Sequence, residues 1–375
     1  MANILVLGGG FGGVTAAESL AKRLKPDHQI TLISRQREFI FYPALVRLAF
    51  GYCALEDVSF DLSQAMHERR VDFVQSEIAW PDPGRREVIV THGQLQGKMP
   101  YDYCVFALGR RLATEQVPGF YEHAHHLLTV KAALKFREAL HNFHRGHAVI
   151  GYCRDARLSV PVYETAFALD RMLRERGERD QVRITVVSPE KPGGQLGGPE
   201  AVPVIEEALA DHGIEFRADF PVAQVLEKEI RSDTDERLDY DLLMLLPPFS
   251  GPGEAMYTGI TDSENYVRVN NYMQVTGAPG MYAAGDCVNL IGPKMGHMAV
   301  LQGEVAAANL AAEVSGHEPA IRYDHELMLV IDEGGEDSIF LYKDLWERKH
   351  ARVSQGLFWG WAKQINQKYW QRKHS

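Results

Sequence analysis

The sequence contains little cysteine, and the thiols it has are far apart. Four cysteines occur among 375 residues, and none of them forms a C-x-x-C pair. A disulfide framework or a cysteine-based metal site needs thiols at short, recurring spacings. The histidines also lack the spacing of a ligand set. We therefore predict free thiols, a reducing compartment and no metal site.

Long apolar runs and an excess of basic charge are also missing. No apolar stretch approaches the roughly 18–20 residues that a membrane-spanning helix needs, and residues 1–20 do not resemble a secretory signal. The net charge is −10, from 40 basic and 50 acidic residues, which argues against a general nucleic-acid binder. We expect two or three domains at this length. The predicted location is cytoplasmic, with a peripheral position on the inner membrane face left open.

A glycine-rich turn follows the first predicted strand. Ile4–Leu7 is apolar, six residues reading GGGFGG come next, and residues 14–20 predict a helix. Strand, G-x-G-x-x-G and helix form the dinucleotide fingerprint. Gly8 permits the tight turn, Gly10 lets the backbone approach a pyrophosphate, and Gly13 lets helix and strand pack closely. The helix N-terminus then faces the phosphates, so the segment predicts a bound dinucleotide.

The second strand of this unit, residues 29–33, ends without the acidic residue that usually binds the ribose. Ser34 and Arg35 stand there instead. Ser34 is able to hydrogen-bond a ribose. Arg35 is expected over the adenine or near a phosphate, the alternative being a solvated loop residue. The aromatic segment Phe39–Pro43 follows, and we expect it to wall a flat ring.

A second βαβ pattern begins at residue 148, but its turn differs from the first. A helix over about 163–176 and a strand over 182–187 follow it. Gly151 is followed by six residues with side chains, Tyr152 to Arg157, where a phosphate would need bare backbone. We therefore predict a nucleotide-domain fold whose phosphate turn is filled, which argues against NAD(P) binding.

These segments resemble the sulfide:quinone oxidoreductase branch of the two-dinucleotide-binding flavoproteins, close to the type II NADH dehydrogenases. The resemblance covers residues 2 to about 373. Its markers are the glycine turn and five further segments: Tyr101–Gly109, Pro161–Glu164, Ser188–Glu190 with Gly197 and Gly198, Ala283–Asp286 through Lys294, and Ala362–Lys363 with Lys368–Tyr369 and Arg372–Lys373.

The resemblance implies FAD as the cofactor of the first domain. Asp286, at the end of the Ala-Gly-Asp segment, is expected to bind the ribityl hydroxyls. Lys294 is expected near the pyrimidine edge of the ring, where a cation stabilises the reduced flavin, the alternative being an exposed loop lysine. The predicted cofactor-binding set is Gly8, Gly10, Phe11, Gly12, Gly13, Ser34, Arg35, Pro43, Gly109, Gly285, Asp286 and Lys294.

The chain departs from this family at three positions that decide the chemistry. Relatives that oxidise sulfide use three cysteines near the flavin, and the aligned residues here are Leu128, Leu158 and Leu329. Because a thiolate is the nucleophile in that chemistry, we do not expect ordinary sulfide oxidation, and the catalytic residues stay unknown. Cys153 or Cys287 could replace these cysteines only by lying close to the flavin ring. We favour the alternative, in which both are inert buried thiols.

The C-terminal segment, residues 340–375, also departs from the family. Asn366 occupies the expected position of a quinone-stacking aromatic residue, three residues after Lys363, which we assign to the acceptor side. The long amphipathic tail of the relatives is not seen. An amphipathic helix is nevertheless predicted, with basic residues beside one apolar face formed by Leu357, Trp361, Ile365 and Tyr369. It fits a membrane surface or a protein contact, including a homo-oligomer.

The predicted fold is α/β, with two Rossmann-like three-layer domains and a C-terminal region that covers the flavin. The FAD domain comprises residues 1–110 and 238–318, the second domain 111–237, and the C-terminal region 319–375. The predicted function is an FAD-dependent oxidoreductase that passes electrons to a quinone or another small acceptor without a cysteine disulfide. The alternatives are an NAD(P)H:quinone reductase and a non-catalytic flavin-binding electron-transfer partner.

Overall fold

The structure, a computed structural model, describes residues 1–193, 196, 200–334, 337–346 and 351–374. The α-helices among these residues are α1 (Phe11–Arg23), α2 (Leu45–Ala49), α3 (Leu62–His67), α4 (Phe120–His123), α5 (Val130–Asn142), α6 (Val160–Arg176), α7 (Ala201–Asp211), α8 (Gly296–Val314) and α9 (Leu357–His374). The strands are β1 (Asn3–Leu7), β2 (Gln29–Ser34), β3 (Glu38–Ile40), β4 (Ser59–Asp61), β5 (Asp72–Asp82), β6 (Glu87–Gly93), β7 (Gly97–Pro100), β8 (Tyr103–Phe106), β9 (Arg111–Leu112), β10 (Gly146–Tyr152), β11 (Val182–Val187), β12 (Glu215–Arg217), β13 (Val222–Val225), β14 (Glu229–Ser232), β15 (Arg237–Asp239), β16 (Leu242–Leu246), β17 (Phe249–Ser250), β18 (Met281–Ala283), β19 (Glu326–Asp332), β20 (Ser338–Asp344) and β21 (Ala351–Gln355).

The first sheet has seven strands in the order β18-β8-β1-β2-β5-β6-β7. The strands from β18 to β5 are parallel, and the last three form an antiparallel edge. Four residues of β1, Ile4–Leu7, are almost completely buried, as expected for a parallel strand covered on both faces. The carboxyl ends of these strands meet at one edge, where doubly wound sheets bind ligands. The predicted α/β fold is confirmed.

The second sheet is fully parallel, with the order β12-β11-β10-β16. Its last strand, β16, pairs with β10 from Ala148 opposite Leu242 to Tyr152 opposite Leu246. The predicted boundary at residue 238 assigned this strand to the first domain and is therefore too early. The reason is that the chain returns to the first sheet only after β16 has added the edge strand of the second, beside β10.

Short pairings and a third sheet connect the two main sheets. The strands β9 and β17 pair antiparallel, so both connections between the two sheets run side by side. The strands β19, β20 and β21 form an antiparallel sheet, and α9 contacts β19 and β20 as well as β4 of the first unit. The C-terminal region therefore packs against the first unit as well as against its own sheet.

Candidate functional site

The glycine turn after β1 has the geometry that a bound pyrophosphate requires. Gly8 has φ +109°, and a Cβ at Gly13 would lie 1.9 Å from the carbonyl oxygen of Gly8, so these positions need glycine for the turn itself. Gly10 precedes α1, and a Cβ there would meet no atom within 4 Å. The first N–H groups of a helix have no intrahelical partner. The turn thus leaves open backbone at the helix N-terminus, which fits a dinucleotide phosphate.

The structure brings Ser34 to this turn, whereas Arg35 is an exposed residue. Ser34 is buried, and its Oγ accepts a 3.2 Å hydrogen bond from the backbone N–H of Gln36. A Cβ at Gly9 would lie 2.8 Å from the same Oγ, so the side chain lies directly against the turn. Arg35 offers its carbonyl oxygen to Gln75 at 3.3 Å. The expected role of Ser34 at the ribose stays a prediction, as does that of Arg35.

The aromatic segment near residue 40 packs inward rather than forming a wall. Phe39 and Phe41 are 1% and 5% exposed, and their rings contact that of Phe11 at 5.0 and 5.5 Å. The interpretation of these two rings as a wall for a flat ligand is therefore wrong, because the apolar face of the first unit already buries them. Pro43 is exposed in the next turn, and its role stays a prediction.

Asp286 lies in a cleft beside an arginine that sequence reasoning missed. Arg110 Nη1 donates a hydrogen bond to Asp286 Oδ2, and its guanidinium lies 4.2 Å from the centre of the Phe249 ring. Gly109 and Gly285, next to the two partners in sequence, have φ +74° and +87°. Two successive arginines after Gly109 were the available signal. The two strand ends thus place a charged pair at the carboxyl edge of the sheet.

Lys294 is buried at the same cleft and is not an exposed loop lysine. Its side chain donates hydrogen bonds to the carbonyl oxygens of Val288 and Leu290, and Nζ lies 4.4 Å from the centre of the Tyr266 ring. Burial, assisted by the charge of Arg157, lowers the pKa of Lys294 to about 7. The cleft is lined by residues of the Ala-Gly-Asp segment, the following loop and α8: Gly285, Asp286, Leu290, Ile291, Pro293, Lys294, Met295, Met298, Ala299 and Gln302, together with His325.

A buried chain of hydrogen bonds connects this cleft to the C-terminal region. The backbone N–H of Gly285 donates to Gln302 at 2.7 Å, and Gln302 donates to the hydroxyl of Tyr323 at 3.3 Å. That hydroxyl lies 3.1 Å from Nδ1 of His325, whose Nε2 lies 2.7 Å from the carbonyl oxygen of Ile291. Burial is the main reason that the pKa of His325 is lowered. Tyr323 and His325 therefore belong to the cleft, although no sequence motif contains them.

In the second unit, the turn after β10 is occupied by a tyrosine side chain. Tyr152 is completely buried, and its hydroxyl accepts a 2.7 Å hydrogen bond from Ser188 and lies 3.3 Å from a carboxylate oxygen of Glu190. Ser188 and Glu190 directly follow β11, where a Rossmann domain would bind the ribose. Asp155 and Arg157 have φ +63° and +41°, and α6 begins only at Val160. The expectation that this turn does not hold the phosphates of NAD(P) stays a prediction.

The three leucines at the aligned cysteine positions belong to one apolar core. Leu128 and Leu329 are buried in it, and Leu158 packs against it. Cys153 is completely buried in a separate cluster that contains Val149 and Phe220, and Cys287 lies behind the Ala-Gly-Asp turn. Burial raises the pKa of each of these two thiols to about 12. Neither thiol is accessible as a thiolate nucleophile.

Lys363 forms a buried ion pair with Glu164. The Lys363 Nζ donates a hydrogen bond to Glu164 Oε1, which also accepts a 3.1 Å bond from the backbone N–H of Asp332. Burial raises the pKa of Glu164, although the charge of Lys363 partly offsets this effect. The pair joins α6 to α9. Gly197 and Gly198 lie outside the described residues, as does the side chain of Asn366.

One face of α9 remains exposed and apolar, while the opposite face packs on the protein. Trp370 is 7% exposed and lies against Phe11 and Phe39. The exposed face carries five large apolar side chains that are 56–72% exposed: Leu357, Phe358, Trp361, Ile365 and Tyr369. In the part of the chain that the structure describes, no helix is apolar and long enough to cross a bilayer, and no three His, Cys, Asp or Glu side chains form a metal-binding group.

The chain is similar to known quinone reductases. The sulfide-quinone reductase of Aquifex aeolicus is 30% identical over 260 residues, which are 67% of this chain and 59% of that protein. The type II NADH:quinone oxidoreductase of Staphylococcus aureus strain NCTC 8325 / PS 47 is 23% identical over 346 residues, 84% of this chain and 83% of that protein. The chain spans less than two thirds of the first of these relatives.

A solved structure supports the same relationship. The X-ray structure of the Aquifex aeolicus sulfide:quinone oxidoreductase has a TM-score of 0.90 and 25% sequence identity, covering 98% of this chain and 90% of the other. The resemblance to this branch of flavoproteins is confirmed. The sequence model of the pyridine nucleotide-disulphide oxidoreductases matches residues 2–303. The chain therefore belongs to the pyridine nucleotide-disulphide oxidoreductase family.

Proposed function

We propose that this protein is an FAD-dependent oxidoreductase that passes electrons from a donor to a quinone without a cysteine disulfide. The contrast between the two nucleotide turns carries the proposal. Gly10 leaves open backbone at the first turn, whereas Tyr152 fills the second. This contrast supports a single dinucleotide site at the first turn, which is where the resemblance implies FAD.

The groove at the first sheet contains groups suited to each part of FAD. The N-terminus of α1 would hold the pyrophosphate, Ser34 the ribose, and Asp286 the ribityl hydroxyls. Lys294 would place a cation close to the ring. Bound FAD would supply two-electron chemistry between donor and acceptor. The protein side chains would bind it, orient it and adjust the local charge.

The acceptor is proposed to approach from the side of α9. Relatives in both similar groups are named as quinone reductases, and quinone reduction consumes protons. Lys363 and Glu164 form a charged pair between α6 and α9. Burial raises the pKa of Glu164, so a proton is less costly on this carboxyl than on an exposed one, and the pair is suited to holding a proton near the acceptor. That the acceptor is a quinone is inferred from these relatives.

The exposed face of α9 is proposed to lie on a membrane surface, where quinones are dissolved. Its large apolar side chains are accompanied by the exposed basic residues Lys368 and Arg372, a combination typical of interfacial helices. Co-sedimentation with vesicles containing anionic lipid tests this, with the W361S/I365S double variant as the comparison. Loss of binding in the variant supports a membrane contact. A concentration-dependent oligomer that the same variant disrupts would instead support the protein contact.

Anaerobic titration of the purified protein tests the function directly. We expect a yellow protein with bound FAD whose absorbance, after photoreduction, is restored by a short-chain quinone. A colourless protein that FAD cannot reconstitute would rule the proposal out. Rapid bleaching by sulfide would show that another group replaces the missing thiols. Bound flavin that no donor or acceptor turns over would favour the electron-transfer partner.

An NAD(P)H:quinone reductase is the second candidate, because a type II NADH:quinone oxidoreductase matches 84% of the chain. This candidate predicts that NADH or NADPH rapidly bleaches the flavin absorbance band in the same titration. The contacts of Tyr152 argue against this result, since its hydroxyl occupies the hydrogen-bonding groups of Ser188 and Glu190, directly after β11.

A further inference from the structure

We propose that Arg110 is a positioning residue for the cofactor, acting through Asp286 and through a donor of its own. The inference rests on the proposed function, because it concerns the FAD site. Arg110 follows Gly109 at the end of β8, and Asp286 follows Gly285 at the end of β18. Parallel pairing of these two strands brings their carboxyl ends together, and Arg110 Nη1 bonds Asp286 Oδ2.

Both partners of this pair are mostly removed from water. The side chains of Arg110 and Asp286 are 16% and 17% exposed. A carboxylate at such a depth is costly unless a charged or hydrogen-bonding partner compensates it. Arginine suits this task because its guanidinium stays charged at all ordinary pH values and presents donors in a fixed plane. Contact with the Phe249 ring at 4.2 Å holds that plane in one orientation.

The pair retains hydrogen-bonding capacity directed toward a ligand. Among the described residues, the Nε–H of Arg110 is buried and has no partner. The bond to Oδ2 leaves the second oxygen of Asp286 able to accept from a hydroxyl. A buried donor without a partner is unfavourable, and an acceptor on a ligand would remove that cost. The Asp286 oxygen matches a ligand hydroxyl, and the Arg110 Nε–H matches a ligand oxygen such as that of a phosphate. A polyhydroxylated chain ending in phosphate, such as the ribityl phosphate of FAD, carries both groups.

Open space beside the pair makes such a contact sterically feasible. A Cβ placed on Gly109 would meet no atom within 4 Å. The neighbouring arginine lies on the surface instead. Arg111 pairs with Glu115 at 2.6 Å, and these side chains are 46% and 57% exposed. Of these two adjacent arginines, Arg110 is buried and Arg111 is exposed. Arg111 is therefore a matched control for Arg110.

The test measures FAD affinity of the apoprotein by fluorescence quenching for wild type, R110M, R110K and R111M, with thermal unfolding of each apoprotein as a folding check. We expect R110M to bind FAD at least tenfold more weakly, and R111M to stay within twofold of wild type. R110K keeps the charge but loses the planar donors, so we expect an intermediate loss. R110M binding within twofold of wild type would overturn the proposal. If R110M does not fold, R110K decides in the same way.

A double-mutant cycle separates positioning through Asp286 from a general loss of stability. R110M, D286N and the double variant are compared, and we expect the two losses in FAD affinity to be clearly less than additive. Full additivity would contradict positioning through Asp286. The reduction potential of the bound flavin is the second readout, and we expect R110M to lower it because a nearby cation is removed. If wild type itself binds no FAD, the proposed function fails. If wild type and R110M bind equally, only this inference fails.

Discussion

Glu18 and His374 are joined by a 2.5 Å hydrogen bond between Oε1 and Nε2, across almost the whole length of the chain. Glu18 is on α1, the helix that begins at the glycine turn, and it also pairs with Lys373 at 2.6 Å and with Arg69 at 2.9 Å. One buried carboxylate therefore connects the end of α9 to α1. The ring of Trp370, 5.5 Å from Phe39 and nearly parallel to it, adds an apolar contact beside this cluster.

The Glu18 cluster predicts a specific pH dependence of stability. Burial by itself raises the pKa of Glu18, but hydrogen bonds from His374 and Lys373 outweigh it and lower the pKa to about 2. A depressed carboxylate pKa stabilises the fold above the unfolded value of 4.5 and ceases to do so as the pH falls through about 2. The shift corresponds to about 3 kcal/mol of unfolding free energy.

We expect E18Q to be less stable than wild type near pH 7, and the difference to shrink as the pH is lowered from about 5 to 2. Denaturant unfolding at several pH values measures it. E68Q is the matched control, because Glu68 contacts the same Arg69 at 3.5 Å but is 49% exposed. An E18Q deficit that stays constant with pH would show that the carboxylate charge is not what holds the cluster.

Replacing Gly10 by leucine should remove the cofactor and spare the fold. A Cβ at Gly10 meets no protein atom within 4 Å, so a side chain there enters only the space expected for the pyrophosphate. We expect G10L to purify colourless, with apoprotein unfolding close to wild type. G13A is the contrasting variant, because its Cβ would lie 1.9 Å from the Gly8 carbonyl oxygen, and it should unfold more easily. Yellow G10L would show that the phosphate assignment is wrong.

Tyr152 is expected to stabilise the second unit rather than to gate a nucleotide. Y152F removes the hydroxyl that bonds Ser188 at 2.7 Å and leaves buried polar groups unpaired, which should cost about 1–3 kcal/mol. Chemical denaturation measures the loss. Y121F, at a tyrosine that is 83% exposed, should be neutral. Tight NADH binding by Y152F would contradict the structural role.

The Lys363–Glu164 pair should affect the acceptor reaction more than cofactor binding. We expect K363M to lower quinone-dependent reoxidation of the flavin by tenfold or more, because the buried carboxylate loses its cation and the acceptor side loses a proton-holding group. FAD affinity should stay within twofold of wild type. Stopped-flow reoxidation with a water-soluble quinone measures the rate. The control is K368M, at an exposed lysine of the same helix; equal loss in both variants would indicate a general effect of charge.

Local patterns were sufficient to predict several strands and helices and the first glycine turn. Alternating apolar runs and turn glycines act through backbone geometry within a few residues. The strand pattern at 29–33 and the helix beyond Gly10 therefore appeared nearly where they were expected. The difference between the two turns was also evident in the sequence, because six residues with side chains follow Gly151.

The remaining features could not be predicted, because the residues that form them are far apart in the sequence. The Arg110–Asp286 pair joins residues 176 positions apart, and no spacing rule links them before the strands pair. The inward packing of Phe39 depended on its contact with Trp370 of α9. The boundary after β16 depended on pairing with β10.

The sequence by itself therefore determined the family of fold, the open glycine turn and the leucines at the three positions where the resemblance leads us to expect thiols, because these follow from residue type and local order. Only the tertiary structure decided which charges are paired, which aromatic rings are buried and how α9 is attached. Those outcomes depend on which groups from distant segments pack together in the same buried space, and this cannot be predicted from any local pattern.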